Sequence, residues 1–231
     1  MNFQPKKRYD LQDMRQIIKI LRSPEGCPWD REQNHHSIRN NFIEETYEAV
    51  EAIDTENPTL LCEELGDVLF QVLFHCQLEE ETDRFSFDDI VDGVAKKMIE
   101  RHPHVFGCVQ AANVEEVLQN WDAIKQESKH RNSGTKVLQS VSPALPALMR
   151  AAKVQKKAQQ AGYPLEQDPA AADPQQAGAL LMQAVRAVRA AGLEPEQVLS
   201  EEVESYIRGF AEWEAVSKDT AQDCVEKEKD L

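Results

Sequence analysis

The sequence predicts an all-α protein, and three observations carry that reading. Ala, Glu, Gln, Leu and Lys recur while Gly is scarce at 9 residues, a composition of good helix formers. Apolar residues return at three- and four-residue intervals, as in Leu11, Met14, Ile17, Ile18 and Leu21. Runs of β-branched and aromatic residues, the material of strands, are short.

The elements follow in order. Leu11 to Leu21 reads as a first helix, stopped by the Ser23–Pro28 loop with its two prolines and Gly26. Trp29 to Asn40 is polar. A second helix is expected from about Asn40 to Asp54, with Phe42, Ala49, Val50 and Ile53 as its apolar stripe, ended by Asn57-Pro58. A third runs from about Thr59 to Glu81 and is apolar nearly all round, so it should be buried. Phe87 to Arg101 is a fourth, stopped by Pro103. Val114 to Ser128 is a fifth, followed by a polar linker over 129–135. Pro143 and Pro146 open a further helix that includes Leu148 to Gln160. Residues 162–174, with Gly162 and three prolines, read as a linker. Two last helices span about Gln175–Ala191 and Glu196–Ser217, and the acidic tail after Asp219 is expected to be disordered.

A chain of 231 residues suits one or two compact domains. Hydrophobic content of 41% and charged content of 29% allow a real core. The net charge of −15 argues against binding nucleic-acid polymers or anionic membranes, which need a cationic surface. It leaves a nucleotide substrate open, because a bound divalent ion reverses the local field. Five cysteines with no C-x-x-C pair argue against a disulfide framework. Met1 to Asp10 is polar and basic, and no apolar run is long enough for a bilayer. The expectation is a cytoplasmic protein.

The chemistry concentrates in two helices. Glu45 and Glu48 sit together on the flank of the second helix, with Glu44 and Glu51 turned further toward solvent. In the third, Glu64, Asp67, Gln71 and His75 fall on one narrow stripe amid Val, Leu and Phe. Carboxylates buried side by side must be paired, protonated or bound to metal. No Lys or Arg occurs between Arg39 and Arg84. Hard oxygen ligands of this kind suit Mg²⁺ or Mn²⁺. A solvated acidic face is the plain alternative for Glu45 and Glu48. An ion pair with Lys97 or Arg101 is another, and it leaves too many carboxylates. A di-iron bundle needs two Glu-x-x-His pairs, and only Glu32–His35 has that spacing.

Glu44-Glu45-Thr46-Tyr47-Glu48, followed after fifteen residues by Glu64-Leu65-Gly66-Asp67, resembles the E-E-x-x-E…E-x-x-D signature of the MazG-type all-α NTP pyrophosphohydrolases. Gly26–Gln33, Arg101–Phe106 and Asn120–Lys125 resemble the same family, and the likeness extends over about residues 11–163. It implies a helical bundle of the all-α NTP pyrophosphatase type that dimerises as a homodimer and binds Mg²⁺, with Mn²⁺ a possible substitute. The implied reaction cuts an NTP or dNTP into NMP and pyrophosphate. By matching position, Glu45, Glu48, Glu64 and Asp67 would be the metal ligands, and Glu44 would support them or orient the attacking water.

Lys97 and Arg101, one turn apart on the fourth helix, are candidates to hold phosphates. Trp29 is a candidate for stacking on the base. Gln33, His36 and Asn40 are candidates to read base or sugar, or to fix the loop. Trp121 reads as core or dimer packing. His102 and His104 suggest zinc only weakly, since no thiolate lies near, and a helix-terminating loop is preferred.

The C-terminal half reads as a second, degenerate copy. Gln176-Ala-Gly178-Ala179 stands where the first copy has Glu64-Leu-Gly66-Asp67, Ser205 and Gly209 stand opposite Lys97 and Arg101, and no E-E-x-x-E helix precedes them. Any Ala- and Leu-rich helix would align similarly, which is the plain alternative. The expected organisation is a catalytic domain over 1–134, a connecting helix over 135–163, and the degenerate half with its tail over 164–231. The competing function is a nucleotide-binding regulatory protein with weak or no catalysis. A purely structural bundle is a third.

Overall fold

The computed structural model describes residues 3–109, 113–117, 120, 121, 124, 133–164 and 173–229, with side chains of the last helix described through 217. Every regular element among them is a helix. The chain divides by contacts into two units, Met1–Cys108 and Val109–Leu231.

Unit 1 begins with α1 (Leu11–Leu21), whose start is fixed by a reciprocal capping box between Asp10 and Asp13. A short α2 (Pro28–Glu32) lies inside the segment read as polar loop. The α3 (Arg39–Asp54) and α4 (Pro58–Glu80) helices then form an antiparallel hairpin. Asn57 accepts hydrogen bonds from the Thr59 and Leu60 amides, so the residue that ends α3 also starts α4. Next come α5 (Phe87–Arg101), capped by Ser86 and Asp89, and α6 (Pro103–Phe106), where a plain loop was expected. Pro103 explains the break: it cannot continue α5 but suits the first position of a new turn.

The core of unit 1 is Ile18, Ile38, Leu73, Phe74 and Leu78, with Met14, Phe70 and Phe87 at its edge. The apolar residues that α4 buries therefore lie in its C-terminal half. Its N-terminal half leaves Leu65 and Leu69 exposed, against the expectation that the whole helix is buried. The stripe expected on α3 is corrected in the same way. Ala49 and Ala52 are the buried contacts, their small side chains suiting close approach to α4, while Val50 and Ile53 are exposed.

Arg22 ties this unit together. Its Nε and Nη2 both donate to the Glu81 carboxylate at 2.7 Å, Nη1 donates to the Asp30 and Gln33 carbonyls, and the guanidinium lies over the Phe74 ring. The end of α1, the segment after α2 and the end of α4 thus meet at one side chain.

Unit 2 contains α7 (Gly134–Gln139), α8 (Ala147–Gln160), α9 (Pro174–Ala190) and α10 (Pro195–Lys229). Its core joins Leu138, Val141, Val154, Ala158, Val203, Ile207 and Phe210. Glu214 accepts hydrogen bonds from the Gly134 and Thr135 amides and the Thr135 hydroxyl, capping α7 from α10. A Cβ at Gly134 would meet the Phe210 ring at 2.8 Å, so the close approach uses the glycine. Within 135–163, read from the sequence as a connector, Leu138, Val154 and Ala158 are core residues, and the units divide ahead of the boundary read at 134. The backbone of α10 continues through Lys229, not ending near Ser217 as expected. No Gly or Pro interrupts 210–231, so nothing in the chain stops the helix. The helix expected over 114–128 lies largely outside the described residues.

Arg22→Met should destabilise unit 1 by about 2 kcal/mol, discounted because Glu81 is partly exposed. The Arg22 guanidinium holds the Glu81 carboxyl below its ordinary range, so that contribution is present above the ordinary carboxylate pKa and lost as pH falls through the lowered one. Denaturant midpoints measured between pH 7 and pH 3 should show a smaller acid loss for the variant than for the parent chain.

Candidate metal centre

The α3–α4 hairpin brings three of the sequence candidates together. Glu45 and Glu48 lie one turn apart on α3, and Glu64 faces them from the first turns of α4. One carboxylate oxygen from each falls within 4.8 Å of the others. Glu64 is buried, Glu45 half-buried and Glu48 exposed, so the group opens to solvent on one side. Asp67 is exposed one turn beyond Glu64. It stands outside that tight trio, yet its charge acts on both Glu45 and Glu64.

The charges are left opposed. Burial, then Asp67, Glu48 and Glu64, push the Glu45 carboxyl above its ordinary range. Burial, then Glu48, Glu63 and Asp67, do the same to Glu64. Glu48 raises both of them, so the cluster resists carrying all its charges without a cation. Among the described residues no ion pair joins Lys or Arg to Glu45, Glu48, Glu64 or Asp67. Converging oxygens, mutual repulsion and no cation fit a hard divalent ion.

The other candidates lie around the hairpin in different settings. Glu44 is exposed on α3 next to Glu45. Arg101 is buried at the end of α5, while Lys97, one turn earlier, is exposed. Trp29 is 59% exposed on α2, a large apolar ring open to solvent. The Gln33 side chain is spent locally: its Nε2 donates to the Trp29 carbonyl and its Oε1 accepts from the Ser37 hydroxyl. Of the two roles read for Gln33, fixing the loop is the one its hydrogen bonds display. His36 and Asn40 are exposed. The His102 Nδ1 lies 2.6 Å from the Met98 carbonyl at the end of α5, and neither His102 nor His104 belongs to a metal-suited group among the described residues.

One cluster escaped the sequence reading. His35 does not join Glu32 in a metal pair; it stacks on His75 and contacts Glu79. His75 was placed on the acidic stripe, but its partner comes from forty residues earlier, a separation that helical periodicity cannot bridge.

Fold and cluster define an all-helical protein whose converging carboxylates suit a hard divalent cation. Comparison with known proteins narrows this. Residues 33–106 match the MazG nucleotide pyrophosphohydrolase domain, a stretch that begins at Gln33, includes all four acids and ends at Phe106. The chain is 35% identical over 216 residues to the nucleoside triphosphate pyrophosphohydrolase/pyrophosphatase MazG of Thermotoga maritima, covering 86% of this chain and 83% of that protein. It is 45% identical over 148 residues to the nucleoside triphosphate pyrophosphohydrolase of Escherichia coli K12, and 47% identical over 148 residues to the uncharacterized protein YabN of Bacillus subtilis. Those two matches span 56% and 30% of the relatives' own lengths. The chain belongs to the MazG nucleotide pyrophosphohydrolase family.

The raised carboxyls give a signed expectation. A raised acid pKa contributes stability below its ordinary value that is lost as pH rises through the raised one. In EDTA, the thermal midpoint should therefore rise as pH is lowered from 7 toward the ordinary carboxylate range. Excess Mg²⁺ should raise the midpoint at pH 7 and flatten that dependence, and Glu64→Gln should flatten it without metal. A midpoint in EDTA that only falls on acidification would contradict the opposed-charge account.

Proposed function

We propose that this protein is a Mg²⁺-dependent nucleoside triphosphate pyrophosphohydrolase, converting an NTP or dNTP and water to NMP and pyrophosphate. The observation that carries the reading is the trio Glu45, Glu48 and Glu64, converging within 4.8 Å with no basic partner among the described residues. The names of the Thermotoga maritima and Escherichia coli relatives support the substrate class.

Glu45, Glu48, Glu64 and Asp67 would hold the metal. When bound, it supplies neutralisation of triphosphate charge and a coordinated water of lowered pKa. The chain's own groups do the rest. Glu44 accepts a proton from, and orients, the water that attacks the α-phosphorus. A new P–O bond forms there as the bond to the bridging oxygen breaks, and pyrophosphate departs. Lys97 and Arg101 hold the phosphate oxygens by charge-assisted hydrogen bonds. Trp29, open to solvent, stacks on the base, and His36 lines the same segment. Gln33 keeps that segment in shape.

The second unit serves in packing and carries no metal chemistry. Gln176 and Ala179 on α9 replace the acids, and α10 supplies Val203, Ile207 and Phe210 to the core. Homodimerisation belongs to the same reading. Ile43, Tyr47, Val50 and Ile53 line an uncovered row on α3, and Ile90, Val91 and Val94 lie uncovered on α5, an apolar surface that a second copy would cover.

The test is product analysis by anion exchange with each NTP and dNTP. We expect NMP and pyrophosphate with Mg²⁺, none with EDTA, and a loss of about a thousandfold or more in Glu64→Gln, on the order of 4 kcal/mol of barrier. NDP and phosphate would keep the metal centre and move the cleaved bond. Nucleotide binding without turnover would replace the enzyme with a regulatory binder. Sedimentation equilibrium should give a dimer, and Val50→Asp should shift it toward monomer.

A further inference from the structure

Past the carboxylates, α4 carries a second titratable cluster that the metal centre does not use. The His75 and His35 rings are parallel, planes 1° apart, and meet edge to edge with centroids 5.0 Å apart. Their Nδ1 atoms are 2.7 Å apart. On the far side of the His35 ring, Nε2 lies 2.5 Å from Glu79 Oε1. The other Glu79 oxygen accepts from Arg84 Nε at 2.8 Å. Phe42 of α3 tilts against the His75 ring.

Proton counting constrains this arrangement. Glu79, an ionised carboxylate paired with Arg84, can only accept, so His35 Nε2 carries hydrogen. Two imidazole nitrogens at 2.7 Å can share one proton. With two, N–H points at N–H and two cations lie edge to edge. A neutral His35 accepts from His75 Nδ1–H, and a charged His35 donates to a neutral His75; both states hold the contact, and the doubly charged state breaks it. Burial and the His35 charge push the His75 pKa below its ordinary value. Among the described residues the charged groups tied to the pair are Glu79 and, through it, Arg84, both on the His35 side. Phe42 brings no charge from α3, and Arg22 of α1 is committed to Glu81 and two carbonyls.

His35 belongs to a segment that is rigid within itself. Asn34 Oδ1 accepts from the His36 and Ser37 amides, and Ser37 bonds Gln33. That segment connects α2, with Trp29, to α3, with Glu45 and Glu48. It is anchored by Ile38 in the core, by Arg22 at the Gln33 carbonyl, and by the imidazole pair. Of these, the imidazole pair is the one that changes charge near neutral pH.

We infer that His35 and His75 form a one-proton latch that positions residues 33–38 against α4, and that a second proton releases this segment. Calling the segment a wall of the nucleotide site rests on the function proposed above; the latch does not. Because the His75 value is depressed when latched, the released state takes up a proton that the latched state excludes. The latched form therefore loses ground as pH falls below the ordinary imidazole range of about 6.5.

The experiment is amide hydrogen exchange of the full chain at pH 7.5 and 5.5, corrected for intrinsic rates, on the parent, His75→Asn and His75→Phe. Asn places an amide nitrogen near the former Nδ1 and does not titrate. Protection of residues 34–38 should fall on the order of tenfold on acidification in the parent, as local opening of the segment becomes easier. It should stay high at both pH values in His75→Asn and low at both in His75→Phe, with the amides of 73–78 protected throughout as the folding control. Equal protection at both pH values in the parent, or an acid loss in His75→Asn as large as the parent's, overturns the latch. If His75→Phe fails the folding control, the parent and His75→Asn comparison decides alone. In parallel, KM for NTP should rise on acidification more in the parent than in His75→Asn. Absence of turnover in every form would count against the proposed reaction, while the exchange data would still decide the latch.

Discussion

The rest of unit 1 depends on keeping like charges together. Between Arg39 and Arg84 the chain supplies no basic residue, and within that stretch it folds Glu45, Glu48 and Glu64 to within 4.8 Å. The acids themselves do not favour closure: burial and neighbouring charge both disfavour the ionised Glu45 and Glu64. The attraction comes from elsewhere. Ala49 and Ala52 let the helices approach closely, and the C-terminal half of α4 buries Leu73, Phe74 and Leu78 against α1. Arg22 then draws α1 and the segment before α3 onto the end of α4. The helix is divided along its length, with the adhesive half in the core and the acidic half, Glu64 apart, open to solvent. That division is why Leu65 and Leu69 can be exposed on a helix that composition alone marks as buried.

Much of this was legible in the sequence, for identifiable reasons. The bounds of α1 and α5 followed from apolar periodicity and from residues that can cap or break a helix, all local properties. The acidic trio was legible because i, i+3 spacing places two carboxylates on one face, and because charges embedded in Val, Leu and Phe require a partner. What was not legible depends on distance along the chain. The imidazole stack joins residues forty apart, and α7 became core only because α10 returns to cap it with Glu214. The lipophilic face of α3 was misread in detail because a wheel cannot tell a row covered by α4 from a row left uncovered.

The two units solve the same packing problem with different chemistry. Unit 1 gathers acids at one end of a helical hairpin and balances their repulsion with a distant core. In unit 2 the core of α7, α8 and α10 includes Phe210 with Tyr163 and Trp213 packed on it, and none of its buried residues is acidic among the described residues. The α9 helix has no buried residue, and Leu180, Leu181, Met182 and Val185 are exposed on it.

This separation bears on how the carboxylate centre can tolerate change. Replacing one acid relieves repulsion and leaves the adhesive half of α4 untouched, so variants at Glu45, Glu48 or Glu64 should fold. Replacing residues in the adhesive half removes what opposes the repulsion, and the acids then add to the damage. A loss of activity at an acid can therefore be assigned to chemistry, whereas the same loss at Phe74 or Arg22 cannot be separated from a hairpin that has opened. The centre is built on a part of unit 1 whose apolar neighbours Leu65 and Leu69 lie outside the core, so its acids can be exchanged with the core intact.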